Sequence, residues 1–158
     1  MIRCLPEELV VVQTLKPAAD AAGRNGEGVS LKNALMAWVE VHIDQGNAAQ
    51  VTVTIEQCTA VAGTGNKAIP VVPIWANQDY GTASPLTRQT DAVNFQTSVA
   101  VKQKKLIFQI DPSILDVANN FDCIRAVTSA SNAANITQAE VRIAPRYPQS
   151  GQLDGKLD

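Results

Sequence analysis

The chain has 158 residues, 46% of them apolar and 18% charged, enough apolar side chain for one packed domain and too much for a disordered segment. A formal net charge of −2, from 13 Lys and Arg against 15 Asp and Glu, supplies no electrostatic drive toward nucleic acid or anionic lipid. No stretch approaches the ~20 apolar residues of a membrane-spanning helix, and residues 1–8 lack the apolar run of a secretory signal. The low share of charge is made up with Ala, Val, Thr, Gln and Asn, a mixture suited to broad contact surfaces of modest desolvation cost. Cys4, Cys58 and Cys123 lie far apart with no C-x-x-C spacing, so the expectation is reduced thiols in a reducing cytoplasm, with no zinc or redox motif.

In chain order, residues 9–15 are β-branched and read as a strand. Pro17 and the alanines after it allow one or two helical turns before Gly23. Residues 24–28 carry turn chemistry, which sets residues 1–28 apart as an extended N-terminal arm and loop. Residues 37–44 alternate, with Val39, Val41 and Ile43 on one face and Trp38, Glu40, His42 and Asp44 on the other. Residues 51–57 alternate in the same way, and the turn between them predicts an antiparallel hairpin. Pro70 and Pro73 make residues 69–76 an edge or interrupted strand. Residues 77–91 form a long loop without periodicity, a candidate contact loop. Strands at 92–101 and 105–110, with Lys102, Gln103 and Lys104 between them, predict a second hairpin.

Asp111 and Pro112 have the chemistry of a helix N-cap and first helical position, for one short turn. Strands at 123–128 and 136–143 follow, closed by Pro145 and Pro148. Residues 149–158 read as a mobile tail. Seven or eight short strands without a long helix predict an all-β chain: an antiparallel β-sandwich of Greek-key or jelly-roll type over residues 29–148.

Catalytic chemistry finds little to stand on, and no catalytic, cofactor-binding or metal-binding residue is assigned. His42, the one histidine, shares a strand face with Glu40 and Asp44 about 7 Å away along the strand, too dispersed for a metal site or a general base. There is no G-x-S-x-G, and Gly63-Thr64-Gly65 lacks the third glycine of a dinucleotide loop. Lys102, Lys104 and Lys105 read as a solvated hairpin tip. Aromatic residues are 4% of the chain, a poor supply for stacking sugar rings. A glycan-binding sandwich module nevertheless stays open as a reading from another class.

Several segments carry a resemblance. Gly28-Val29-Ser30-Leu31-Lys32-Asn33, the stretch Val41-His42-Ile43-Asp44-Gln45-Gly46-Asn47-Ala48-Ala49, and Val72-Pro73-Ile74-Trp75-Ala76-Asn77 are similar to small virion proteins of tailed bacteriophages and prophages. So are Phe108-Gln109-Ile110-Asp111-Pro112, Phe121-Asp122-Cys123-Ile124-Arg125 and Ser131-Asn132-Ala133-Ala134-Asn135-Ile136, so that the likeness spans roughly residues 28–147. Within that family the chain resembles capsid decoration, or cement, proteins. The resemblance implies a β-sandwich on the exterior of an icosahedral shell, made in the host cytoplasm, with the major capsid protein of the same virion as partner. It also implies a homo-oligomer, dimer or trimer, and no cofactor, nucleic acid or membrane. A tail-tube or head–tail connector subunit is the alternative role. The arm and the 77–91 loop are then the expected graspers, with Trp75, Tyr80 and Arg88 as candidate anchors, because aromatics and Arg dominate contact energetics. Trp75 could equally fill the sandwich core.

Overall fold

The computed structural model describes residues 8–147 and 154–157. Among these residues twelve strands are formed: β1 (Val10–Ala19), β2 (Arg24–Asn25), β3 (Val29–Ser30), β4 (Ala34–Gln45), β5 (Thr52–Cys58), β6 (Lys67–Ala68), β7 (Ile74–Asn77), β8 (Thr87–Arg88), β9 (Asn94–Gln96), β10 (Gln103–Ile110), β11 (Cys123–Thr128) and β12 (Asn135–Pro145). One sheet runs β1-β12-β4-β10-β7-β8; the other runs β2-β11-β5-β6, with β3 also on β11 and β9 also on β5. Every pairing between these strands is antiparallel, and the result is the expected all-β sandwich.

The period-2 pattern decides which side chains meet in the middle. Val39, Val41 and Ile43 of β4 face Val53 and Ile55 of β5 and Ile124 and Ala126 of β11 across the core. Leu106 and Phe108 of β10 and Val141 of β12 fill the same layer, all of them buried. Register holds the layer in line: Val39 stands opposite Phe108 on one side and Val141 on the other.

Both expected hairpins are replaced by crossings between sheets. β4 pairs with β10 and β12, whereas β5 pairs with β11, β6 and β9. The chain changes sheet at residues 46–51, where Gly46 N donates to Ala134 O at 3.2 Å and Asn47 N to Asn135 Oδ1 at 2.9 Å. Asn135 Nδ2 in turn donates to Ala49 O at 2.7 Å. A side chain at 46 would put its Cβ 2.5 Å from Ala134 O, so only glycine lets the turn lean on its neighbour. The second predicted hairpin fails in the same manner, because β9 lies on β5 and β10 lies in the other sheet. Between them Thr97 is buried, and its hydroxyl accepts from Val51 N and donates to Gln45 Oε1.

Residues 17–19 continue β1 instead of turning helically. Pro17 lies where the β1–β12 register shifts, between Leu15 and Ala18, a place that asks no ladder donor of it. Residues 1–7 of the expected arm lie outside the described residues, and from Val10 the segment is laid along β12 as an integral strand instead of standing apart from the sandwich. Its outer edge is closed in part by Glu27, whose backbone N donates to Thr14 O, and by Arg24, which donates to Lys16 O. Of the tail expected to be mobile, residues 149–153 and 158 lie outside the described residues, while residues 154–157 are docked. Gly155 O accepts from Ser30 N at 2.9 Å, and a Cβ on Gly155 would fall 2.8 Å from Val12 Cγ2. The Asp111 cap is formed, with its side chain accepting from Ser113 N ahead of a 3₁₀ turn at Pro112–Ile114.

Candidate functional site

A continuous surface with unusual chemistry is the outer face of the first sheet. Alternation that sends Val39, Val41 and Ile43 inward sends Trp38, Glu40 and His42 outward from β4. Register then sets Glu40 beside Ile107 of β10, Ile107 beside Trp75 of β7, and Trp75 beside Arg88 of β8. The adjacent row runs from His42 through Lys105 to Asn77.

The three candidate anchors lie on this face, Trp75 in contact with Arg88 and Tyr80 over the adjacent row. Trp75 is half-buried and stands outside the core, which answers the core reading of it. The guanidinium carbon of Arg88 lies 4.8 Å from its ring centre. Arg88 is also ion-paired with Asp91 and donates to Gln89 O at 2.8 Å, so its planar head is held over the indole. Tyr80 hangs over the next row: His42 meets its ring edge-on at 6.3 Å, and Lys105 Nζ is 5.5 Å from its centre. The 77–91 loop that carries Tyr80 and Arg88 is pinned from below. Asn77 Nδ2 donates to both Ala83 O and Pro85 O, and Asp79 forms an ion pair with Lys102 at 2.8 Å.

Beside these side chains, on the adjoining strands β10, β4 and β12, sits a compensated charge cluster that the sequence alone did not reveal. Glu40 points outward yet is only 8% exposed. Arg142 Nε lies 2.7 Å from its Oε1 and Lys105 Nζ 3.1 Å from its Oε2. Glu140 stands directly opposite Glu40 on β12, and Arg142 spans both, 3.2 Å from Glu140, which offsets a like-charge pair. The signal was present as alternate charged residues on three strands; what was missing was which strands adjoin.

The supposed lysine tip dissolves into three separate roles. Because β10 already begins at Gln103, Lys104 shares the inward face of Leu106 and Phe108; it is buried, and its Nζ donates to Ser98 O at 2.6 Å and Ser98 Oγ at 3.0 Å. Burial pushes the Lys104 amine below its ordinary value. Lys105 faces Glu40 and Lys102 faces Asp79.

His42 has its pKa lowered, first by burial and next by the positive charge of Lys105, against the opposing pull of Glu40 and Glu140. Neutral imidazole is therefore the form that fits beside Lys105 and Tyr80. A folded-state pKa below the unfolded one contributes stability that is present above about pH 6.5 and is lost as pH falls through the folded value. Since the chain has one histidine, the decline of unfolding free energy that sets in as pH falls below about 6.5, ahead of the carboxylate range, should be assignable to it. Urea titrations across that window should show declining stability for the wild type and a flatter profile for His42→Gln; equal slopes would refute the assignment. Among the described residues no group of three or more His, Cys, Asp or Glu side chains converges as a metal set.

No family model matches the chain. No curated protein matches it either. Among solved structures it is similar to the YomS protein derived from the SPBc2 prophage, at 10% identity and a TM-score of 0.47, over 86% of this chain and 93% of that one. It is also similar to a candidate sugar-binding protein from Bacteroides thetaiotaomicron, at 15% identity and a TM-score of 0.32, over 78% of this chain and 65% of that one.

Proposed function

We propose that the protein is a phage virion structural protein that decorates and stabilises the exterior of an icosahedral capsid, gripping neighbouring shell subunits with the outer face of its first sheet. The observation that supports the reading is the placement of Trp75 with Arg88, and of Tyr80 in the adjacent row, on the outer face of one six-stranded sheet. Large, pre-positioned aromatic and Arg side chains lose little freedom on contact and supply most of the binding energy of a protein interface. Charges at the centre of that face already balance one another, so covering them leaves no isolated ion. The sequence likeness to decoration proteins points the same way. In this role the protein acts without a catalytic step or cofactor, the major capsid protein is its partner, and many weak attachments per particle add up to a tight coat. It is made in the host cytoplasm, resides on the virion exterior, and associates with further copies of itself as a dimer or trimer.

Purified protein mixed with undecorated heads should co-sediment to saturation and raise the temperature at which the heads release DNA. Heads that neither bind it nor gain resistance would reject the proposal. Rings or tubes formed by the protein alone would instead favour a tail-tube or connector role, because heterologous contacts repeat around an axis.

A further inference from the structure

Two of the three cysteines, 65 positions apart in the chain, are brought face to face by the second sheet: Cys123 of β11 stands opposite Cys58 of β5. Both are buried, and Cys123 is a thiol whose Sγ donates to Asp122 Oδ1 at 3.3 Å. The ladder fixes their geometry. Leu31 N donates to Asp122 O and Gly26 N to Ala126 O, so the even-numbered peptide groups of β11 point toward β3 and β2. The odd-numbered groups, Cys123 among them, therefore point toward β5, in step with Ser129 N donating to Thr52 O. An antiparallel pair that exchanges hydrogen bonds in this way has its Cα atoms about 5.5 Å apart, inside the roughly 4.4–6.8 Å span of disulfides, while its Cβ atoms, at the wide end of the cross-strand range, must draw together by about 1 Å for the bond to close. The next pair along the same face, Arg125 and Glu56, is locked by Arg125 Nε and Nη2 at 2.9 and 2.7 Å from Glu56 Oε2, which holds the strands against slipping.

We propose that Cys58 and Cys123 are an oxidation site, closed by a small-molecule disulfide into a cross-strand bond that staples β5 to β11. Neither residue has exposed surface, so the reaction starts from a local opening at this end of the β5–β11 ladder; one thiolate then attacks the oxidant, for example oxidised glutathione, and forms a mixed disulfide while releasing one reduced glutathione. The second thiolate displaces the other glutathione and forms the protein S–S bond. Two thiol protons and two electrons leave the protein, and one oxidised glutathione becomes two reduced ones. The consequence for stability follows from position. Strands β2, β3 and β6, which flank β11 and β5, have two residues each, so the lateral order of this sheet depends on the β5–β11 ladder. Closing a loop of about 65 residues restricts the unfolded chain strongly. The proposed moment of closure, when particles leave a reducing cytoplasm, rests on the capsid reading; the bond itself does not.

The test uses the full chain in isolation, so its failure would leave capsid binding untouched. Incubation with oxidised glutathione or diamide should lower the intact mass by two hydrogens. A non-reducing peptide map should join the peptides of Cys58 and Cys123, and the midpoint of thermal unfolding should rise by roughly 5–10 °C and fall back with dithiothreitol. Cys4→Ser should behave as wild type, and Cys58→Ser or Cys123→Ser should lose both the mass change and the stabilisation. A map that joins Cys4 to either residue, a product with stable glutathione adducts only, or thiols that stay reduced under diamide would each overturn the proposal. Because mapping is done on the wild type and on Cys4→Ser, it stands even where a buried serine unfolds the protein.

Discussion

Asp20→Ala should lower unfolding free energy by about 3–5 kcal/mol, the range for removing one partner of a buried ion pair. Asp20 has no exposed surface and sits where the chain leaves β1 for the other sheet. Its Oδ1 accepts from Arg24 Nε at 2.8 Å and from the Thr128 hydroxyl at 2.7 Å, a cross-strand pair of β2 and β11 in the second sheet. Its backbone N donates to Asn135 O, and its O accepts from Ser131 N. Arg24 extends the node, donating to Lys16 O at 2.7 Å and Thr137 O at 2.5 Å. Truncation leaves a partly buried guanidinium without its carboxylate and a buried hydroxyl without an acceptor, at a node that ties the end of β1 to β12 and β11. Asp20→Asn should cost less, since Oδ1 is retained and the other carboxylate oxygen has no hydrogen-bond partner to lose. Guanidinium-chloride unfolding of the single variants and of Asp20→Ala with Arg24→Ala gives the check. If the energy resides in the pair, the double variant falls well short of the sum of the singles; simple additivity would remove the node from the account.

Strand existence and facing were legible in the sequence because period-2 alternation is a local signal, and Val39, Val41 and Ile43 had to lie on one side whatever paired with them. Pairing was not legible. A strand whose apolar face points into a sandwich carries the same pattern whether its successor adjoins it or crosses to the opposite sheet, so residues 37–44 and 51–57 looked like a hairpin. What separates the outcomes is long-range: Gly46 leaning on Ala134, and Asn135 reaching Ala49 from the far end of the chain. The same limit hid the contact face. Trp75, Tyr80 and Arg88 could be chosen for their chemistry, but the compensated cluster of Glu40, Arg142 and Lys105 beside them is assembled from β4, β12 and β10. Lys104 was misassigned for a nearer reason. Two residues of strand before Lys105 were enough to turn its side chain from a solvated tip into the core.

That division of labour shapes the test of the contact face. Trp75→Ala should weaken attachment to undecorated heads by about 30-fold or more per site, the effect of losing some 2 kcal/mol at an interface anchor. Arg88→Ala should produce a smaller loss by itself, since its exposed ion pair with Asp91 contributes little. Its larger part is to hold the indole, which predicts strong coupling: with Trp75 already removed, deleting Arg88 should change attachment little. Tyr80→Ala should act more nearly independently, because its ring packs on His42 and Lys105 in the adjacent row. A control on a different element is Val117→Ser, which alters a side chain 59% exposed in the short turn before β11. Sedimentation with heads, read beside thermal unfolding of each variant, separates loss of contact from loss of fold. Trp75→Ala that stays folded and binds like wild type, while Val117→Ser does not, would move the grip from the first sheet's outer face to the opposite side of the sandwich.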